Sequence, residues 1–129
     1  MSDQSEVRTG GCLCEGVRYR MTGEIRQVIN CFCTQCQKTS GHHVAATKVN
    51  LDQFEFISDS TLKWYQSSDQ ARRGFCSRCG ANLFWQPMGA DTISIMAGTI
   101  DTPTGLKTIK NIFVEDKNDY HSLPEVEAE

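Results

Sequence analysis

Three thiols fall within six residues at Cys31-Phe32-Cys33-Thr34-Gln35-Cys36, and the run continues into Gln37-Lys38-Thr39-Ser40-Gly41. A C-x-C-x-x-C run is too crowded for separate disulfides and well suited to one soft metal ion. Three protein ligands leave the fourth tetrahedral position open. That arrangement separates a catalytic zinc site from a closed structural one.

The remaining four cysteines come as two pairs. Cys12/Cys14 sits among glycines in Gly10-Gly11-Cys12-Leu13-Cys14-Glu15-Gly16, and Cys76/Cys79 forms a knuckle-like Cys76-Ser77-Arg78-Cys79-Gly80. A C-x-x-C pair needs a second pair to complete a tetrahedron, and Cys12/Cys14 supplies it. Seven cysteines therefore divide into four and three. For the four, the alternative is that Cys12 or Cys14 is merely a small buried side chain. For Cys31, Cys33 and Cys36, three readings stay open: a zinc with an open position, a structural zinc closed by His42 or His43, and a Cys33/Cys36 redox couple.

The cysteine count is odd, and Met1 to Gly10 is polar with no apolar signal-like core. Both features favour reduced, metal-binding thiols in the cytoplasm over a disulfide framework. No apolar run approaches the roughly 20 residues of a membrane span. The formal net charge is -3 and the basic residues are scattered, so neither nucleic acid nor membrane is expected as a partner. Zinc at both groups would add about three more negative charges. An anionic substrate would then need local Arg or Lys.

Residues 1–9 and 125–129 read as tails around a single domain at 10–124. Alternation at Val17, Tyr19 and Met21 marks a strand ended by Thr22-Gly23. Further strands are expected at Val28 to Asn30, His43 to Val49, Leu83 to Trp85, Ile93 to Met96 and Lys107 to Val114. Phe54 to Ile57 and Leu62 to Tyr65 flank Ser58-Asp59-Ser60-Thr61 and read as a hairpin. Gln37 to Gly41 reads as one helical turn or a tight loop closed by Gly41. The class is mostly β, in short strands with little helix, metal replacing part of the core.

Several of these segments together resemble one known family. They are Gly11-Cys12-Leu13-Cys14, Val17-Arg18-Tyr19, the central cysteine run with Ser40-Gly41, Arg73-Gly74-Phe75-Cys76-Ser77-Arg78-Cys79-Gly80, and Gly98-Thr99-Ile100-Asp101. In this order they resemble the glutathione-dependent formaldehyde-activating enzyme family, the domain also found in centromere protein V. The resemblance implies a β-tent fold of short antiparallel sheets around a structural zinc at Cys12, Cys14, Cys76 and Cys79. It also implies a second, catalytic zinc at Cys31, Cys33 and Cys36. The activity it implies is that of a carbon–sulfur lyase joining glutathione, or a related thiol, to formaldehyde or a similar small electrophile. The family often carries His where this chain has Phe32.

Lys38, Ser40, Gly41 and Arg73 are the candidate substrate-binding residues, with Arg78 a further cation near the knuckle. The alternatives are a non-catalytic zinc-stabilised module, displaying aromatics such as Trp64, Tyr65 and Trp85, or a glutathione carrier. A methionine sulfoxide reductase-like activity would need a reactive cysteine late in the chain, and none follows Cys79. A homodimer stays open.

Overall fold

Alternation in sequence becomes alternation in burial. In strand β2 (Val17–Thr22), Val17, Tyr19 and Met21 are buried while Arg20 is exposed, so one face turns inward. The computed structural model describes residues 6–127. In it β2 lies between β1 (Val7–Gly11) and β5 (Phe54–Asp59), antiparallel to both. These three strands make one sheet. The second sheet runs β10 (Thr108–Ile112), β3 (Val28–Cys31), β4 (Val44–Asn50), β9 (Thr92–Met96), β8 (Asn82–Pro87), β7 (Ala71–Cys76), β6 (Leu62–Gln66). Its pairings are antiparallel except β10 with β3, which is parallel. Among the described residues the one α-helix is α1 (Thr34–Ser40), and no helix is long and apolar enough to cross a membrane.

The mostly β class holds, with two corrections. Of the expected tails, residues 1–5 and 128–129 lie outside the described residues. The amino-terminal tail is shorter than read, because β1 already starts at Val7. The expected hairpin does not form: β5 pairs with β2 and β6 pairs with β7, in different sheets. The linking residues are pinned from both sides. Ser58 Oγ and Ser60 Oγ donate to Gly16 O at 3.0 and 3.2 Å, and the Ser77 amide donates to Thr61 O at 2.7 Å. A Cβ on Gly16 would lie 2.2 Å from Thr61 Oγ1. The segment is therefore a corner between sheets, held by longer-range bonds that a local sequence pattern does not reveal.

The core lies between the sheets and centres on Phe84. Its ring packs against Tyr19 at 5.6 Å, Phe54 at 5.6 Å and Phe56 at 5.7 Å between centroids, mostly edge-on. Trp64 and Phe84 both oppose Gly74 across neighbouring strands. Their rings, 6.0 Å apart, close over the space a side chain would occupy. A Cβ at Gly74 would stand 2.9 Å from Phe84 and 3.0 Å from Trp64. The aromatics do not form one exposed patch: Trp64 packs on this core, Trp85 points to the other face of the sheet, and Tyr65 is exposed.

Gly98-Thr99-Ile100-Asp101 works as a clasp. Thr99 Oγ1 donates to Met96 O at 2.7 Å, which leaves Tyr19 OH as donor to Thr99 Oγ1, also at 2.7 Å. Asp101 accepts from Arg18 Nη2 at 2.7 Å and from Thr9 Oγ1 at 2.6 Å. These bonds tie the edge of the three-stranded sheet to the end of β9.

Gly74→Ala should cost about 1–3 kcal/mol through overpacking, read as a lowered urea midpoint with unchanged m-value. The hydrogen bonds from Arg18 and then Thr9 hold the Asp101 carboxyl below its ordinary value. A depressed carboxylate stabilises the fold above its unfolded pKa and loses that contribution as pH falls through the folded one. Half-exposed and screened, the clasp is worth roughly 0.5–1 kcal/mol. Asp101→Asn should remove that amount at neutral pH and much less at a pH below the lowered value of the folded carboxyl, by denaturant titration. An equal loss at both pH values would reject the charge as its source.

Candidate metal centres and the adjoining cavity

Cys12 and Cys14 sit in the tight turn after β1, where Glu15 adopts a positive φ of 66° and its amide donates to Cys12 O at 3.2 Å. Cys76 ends β7. The following turn closes on Gly80, which has φ 78° and donates its amide to Cys76 O at 2.9 Å. These turns bring Cys12, Cys14, Cys76 and Cys79 together, with all four sulfurs within 4.8 Å of one another. Cys14 Sγ stands 3.7 Å from Cys12 Sγ and 3.6 Å from Cys76 Sγ. A tetrahedron with Zn–S of about 2.3 Å has edges of about 3.8 Å, so the donor set fits zinc.

Donors surround these sulfurs. The amides of Val17, Arg78 and Cys79 point at Cys12 or Cys76 sulfur from 3.3, 3.4 and 3.3 Å. Arg78 Nε reaches Cys14 Sγ at 3.3 Å. Burial opposes ionisation of Cys76. Even so, its hydrogen bond with Thr61 and those from the Cys79 and Arg78 amides bring its thiol down to about 5. Arg78 is thus committed to the four-thiol group.

The central run is built differently. Cys31 ends β3, Cys33 is the N-cap of α1, and Cys36 lies in its first turn with its amide donating to Cys33 Sγ at 3.3 Å. The three sulfurs lie within 4.8 Å of one another. Helix α1 is held by Gln37 Nε2, which donates to Phe32 O and Asp116 O at 2.7 Å each, and stops at Gly41 in the left-handed conformation. The hydrogen bond with Cys36 holds the Cys31 thiol below its ordinary value against burial. The same bond, together with burial, pushes Cys36 well up, and burial pushes Cys33 up. Neither His42 nor His43 joins either thiol group. Phe32 is fully buried and stacks against His43 at 4.7 Å and His121 at 5.8 Å.

A cavity of about 390 Å³ opens beside the three thiols, on the sheet face opposite the aromatic core. Val44, Trp85 and Met96 form apolar walls. Arg73, only 5% exposed, crosses from β7. Its Nη2 is 3.7 Å from Cys36 Sγ and 3.4 Å from Gln35 Oε1, and its Nη1 is 3.5 Å from Thr39 Oγ1. Of the four expected substrate residues, Arg73 alone lines this cavity. Lys38 and Gly41 line a separate open depression with His42 and Tyr120. Ser40 Oγ caps the helix carbonyl of Cys36 at 2.7 Å. Sequence reasoning missed Gln35, Arg26 and Lys48. Gln35 stands inside the cysteine run and could have been singled out there. The other two reach the cavity only through strand pairing.

A family model described as glutathione-dependent formaldehyde-activating enzyme matches residues 7–116. The chain belongs to the glutathione-dependent formaldehyde-activating enzyme family. The match spans all seven cysteines and every strand. Among solved structures, a Rhodobacter sphaeroides protein shares the fold, with a TM-score of 0.62 and 19% identity over 80% of this chain and 98% of that one. As in the family resemblance read from sequence, both thiol groups are present, and both could hold a metal ion.

The two groups should behave separately. Protein purified under reducing conditions is expected to carry two zincs per chain by atomic emission. Cys33→Ser should carry one and keep its melting transition. Cys76→Ser should lose the cooperative fold, since a four-thiolate zinc contributes folding free energy directly. One zinc in both wild type and Cys33→Ser would contradict a metal at the central run.

Proposed function

We propose that this protein is a zinc-dependent enzyme of carbon–sulfur lyase type, joining glutathione or a related thiol to a small aldehyde, in the manner of an S-(hydroxymethyl)glutathione synthase. The observation that carries the reading is the three-thiol group facing a cavity rather than a fourth protein ligand. Cys12, Cys14, Cys76 and Cys79 would hold a structural zinc, and Cys31, Cys33 and Cys36 the catalytic one. Seven reduced cysteines argue for the cytoplasm as the working compartment.

Zinc held by Cys31, Cys33 and Cys36 would accept a substrate thiol and lower its pKa. The chain's own residues do the rest. Three thiolates outweigh a divalent cation by one charge, and Arg73 beside Cys36 offsets it. Its one remaining N–H, on Nη1, with the Gln35 amide, offers a hydrogen bond to an oxygen that gains charge beside the sulfur. Trp85, Met96 and Val44 restrict water at that end. In the forward direction a C–S bond forms, the carbonyl π pair moves to oxygen, and the thiol proton ends on that oxygen. The reverse reaction breaks the same bond.

The test is exchange spectroscopy of the glutathione–formaldehyde adduct by NMR, because the uncatalysed reaction also proceeds. Catalytic protein should raise the exchange rate at least about tenfold, a barrier change of about 1.4 kcal/mol, and Cys33→Ser should abolish the increase. No acceleration at stoichiometric protein would leave a carrier or binding module instead.

A further inference from the structure

The far end of the cavity carries charge that the catalytic reading does not use. Val44, Ala46 and Lys48 alternate along β4 and line the cavity together. Cys31 pairs with Val44 and Ile29 with Ala46, so the distance from the thiols can be counted along the strand. Arg26 lies over this stretch. Its Nη2 donates to Ala46 O at 2.9 Å and its Nε to Gln27 O at 3.2 Å, while its backbone amide donates to Lys48 O at 3.3 Å. The guanidinium is held by two carbonyls at a fixed place, and three of its five N–H groups have no protein acceptor among the described residues.

Arg26 is half-buried, and burial works against its charge. Yet the ion pairs among the described residues are Arg8–Glu6, Arg18–Asp101 and Arg20–Glu55. None involves Arg26, Lys48 or Arg73, and no Asp or Glu lines the cavity. A half-buried cation without a counter-ion costs folding free energy, and an apolar residue would pack there at less cost. The anion it lacks is therefore to be sought in a ligand. Any ligand ammonium entering the cavity would meet three cations and no carboxylate.

We infer that Arg26, aided by Lys48, is a recognition site for the anionic far end of the thiol substrate. The preferred thiol carries a carboxylate or sulfonate and no ammonium beside it. Glutathione, whose γ-glutamyl end bears an ammonium, is then not the best fit. The anchored guanidinium sits two residues along β4 from Val44, roughly 7 Å from the level of Cys31. The matching thiol places its anion at about that distance from sulfur. This inference rests on the three thiols forming a thiol-accepting centre.

The test uses zinc-loaded protein and three thiols of one length, titrated calorimetrically: mercaptohexanoate, mercaptohexanol and aminohexanethiol. The acid should bind about tenfold tighter than the alcohol, the size of one charge-assisted hydrogen-bonded pair, and the amine should bind weakest. In Arg26→Gln the acid-to-alcohol ratio should fall to about one. Lys48→Gln should lower it by less. Equal binding of acid and alcohol by the wild-type protein would overturn the inference while leaving the thiol-accepting centre intact. No binding by any of the three would overturn both. The order of affinities in the wild-type protein stands even if a variant folds poorly.

Discussion

Four sulfurs packed within 4.8 Å, none of them in a disulfide, are the constraint on which the rest of the structure depends. Two come from the turn after β1 in the smaller sheet, and two from the end of β7 and the turn that follows it in the larger. Cys14 and Cys76, 62 positions apart in sequence, stand 3.6 Å apart in space. Four such thiols ionised together repel one another unless a cation sits among them. A metal there converts that repulsion into a joint between the sheets. Close by, the Ser58–Thr61 corner and the Ser77 amide bond take the chain from one sheet to the other. The aromatic core around Phe84 then fills the wedge that the joint opens.

The same larger sheet gives the cavity its separate character. Successive residues on β8 divide the labour, Phe84 facing the core and Trp85 the cavity. On β7, Arg72 stacks its guanidinium 3.8 Å above the Trp64 ring on one face, while Arg73 reaches Cys36 on the other. Pleating alone places a structural core and a charged, apolar-walled site on two sides of one layer. The four-thiol group can then be closed and rigid while the three-thiol group stays accessible.

Much of this was legible in the sequence. Cysteine spacing gave both thiol groups, because C-x-C and C-x-x-C impose turn geometry locally. Period-two alternation located β2 and β9, and strands were expected within a few residues of β3, β4, β8 and β10. What failed was long-range. Phe54 to Ile57 and Leu62 to Tyr65 look like a hairpin because turn residues lie between them, and only the bonds from Gly16 and Ser77 reveal a corner. Lys38, Ser40 and Gly41 follow the cysteines in sequence, but in the fold Lys38 and Gly41 line a separate depression and Ser40 Oγ bonds the helix carbonyl of Cys36. Arg26 could not be found from spacing at all, since its place depends on the β3–β4 register.

The central claim is that one sulfur group is closed and the other open. Zinc K-edge X-ray absorption on protein with both centres filled measures this directly. Four sulfurs at one centre and three at the other average to about 3.5 per zinc, with one lighter scatterer at half the metal ions. That value is expected, rising to about 4 when a thiol ligand is added. An average of 4 before any thiol is added, or a nitrogen signature at the second centre, would contradict it.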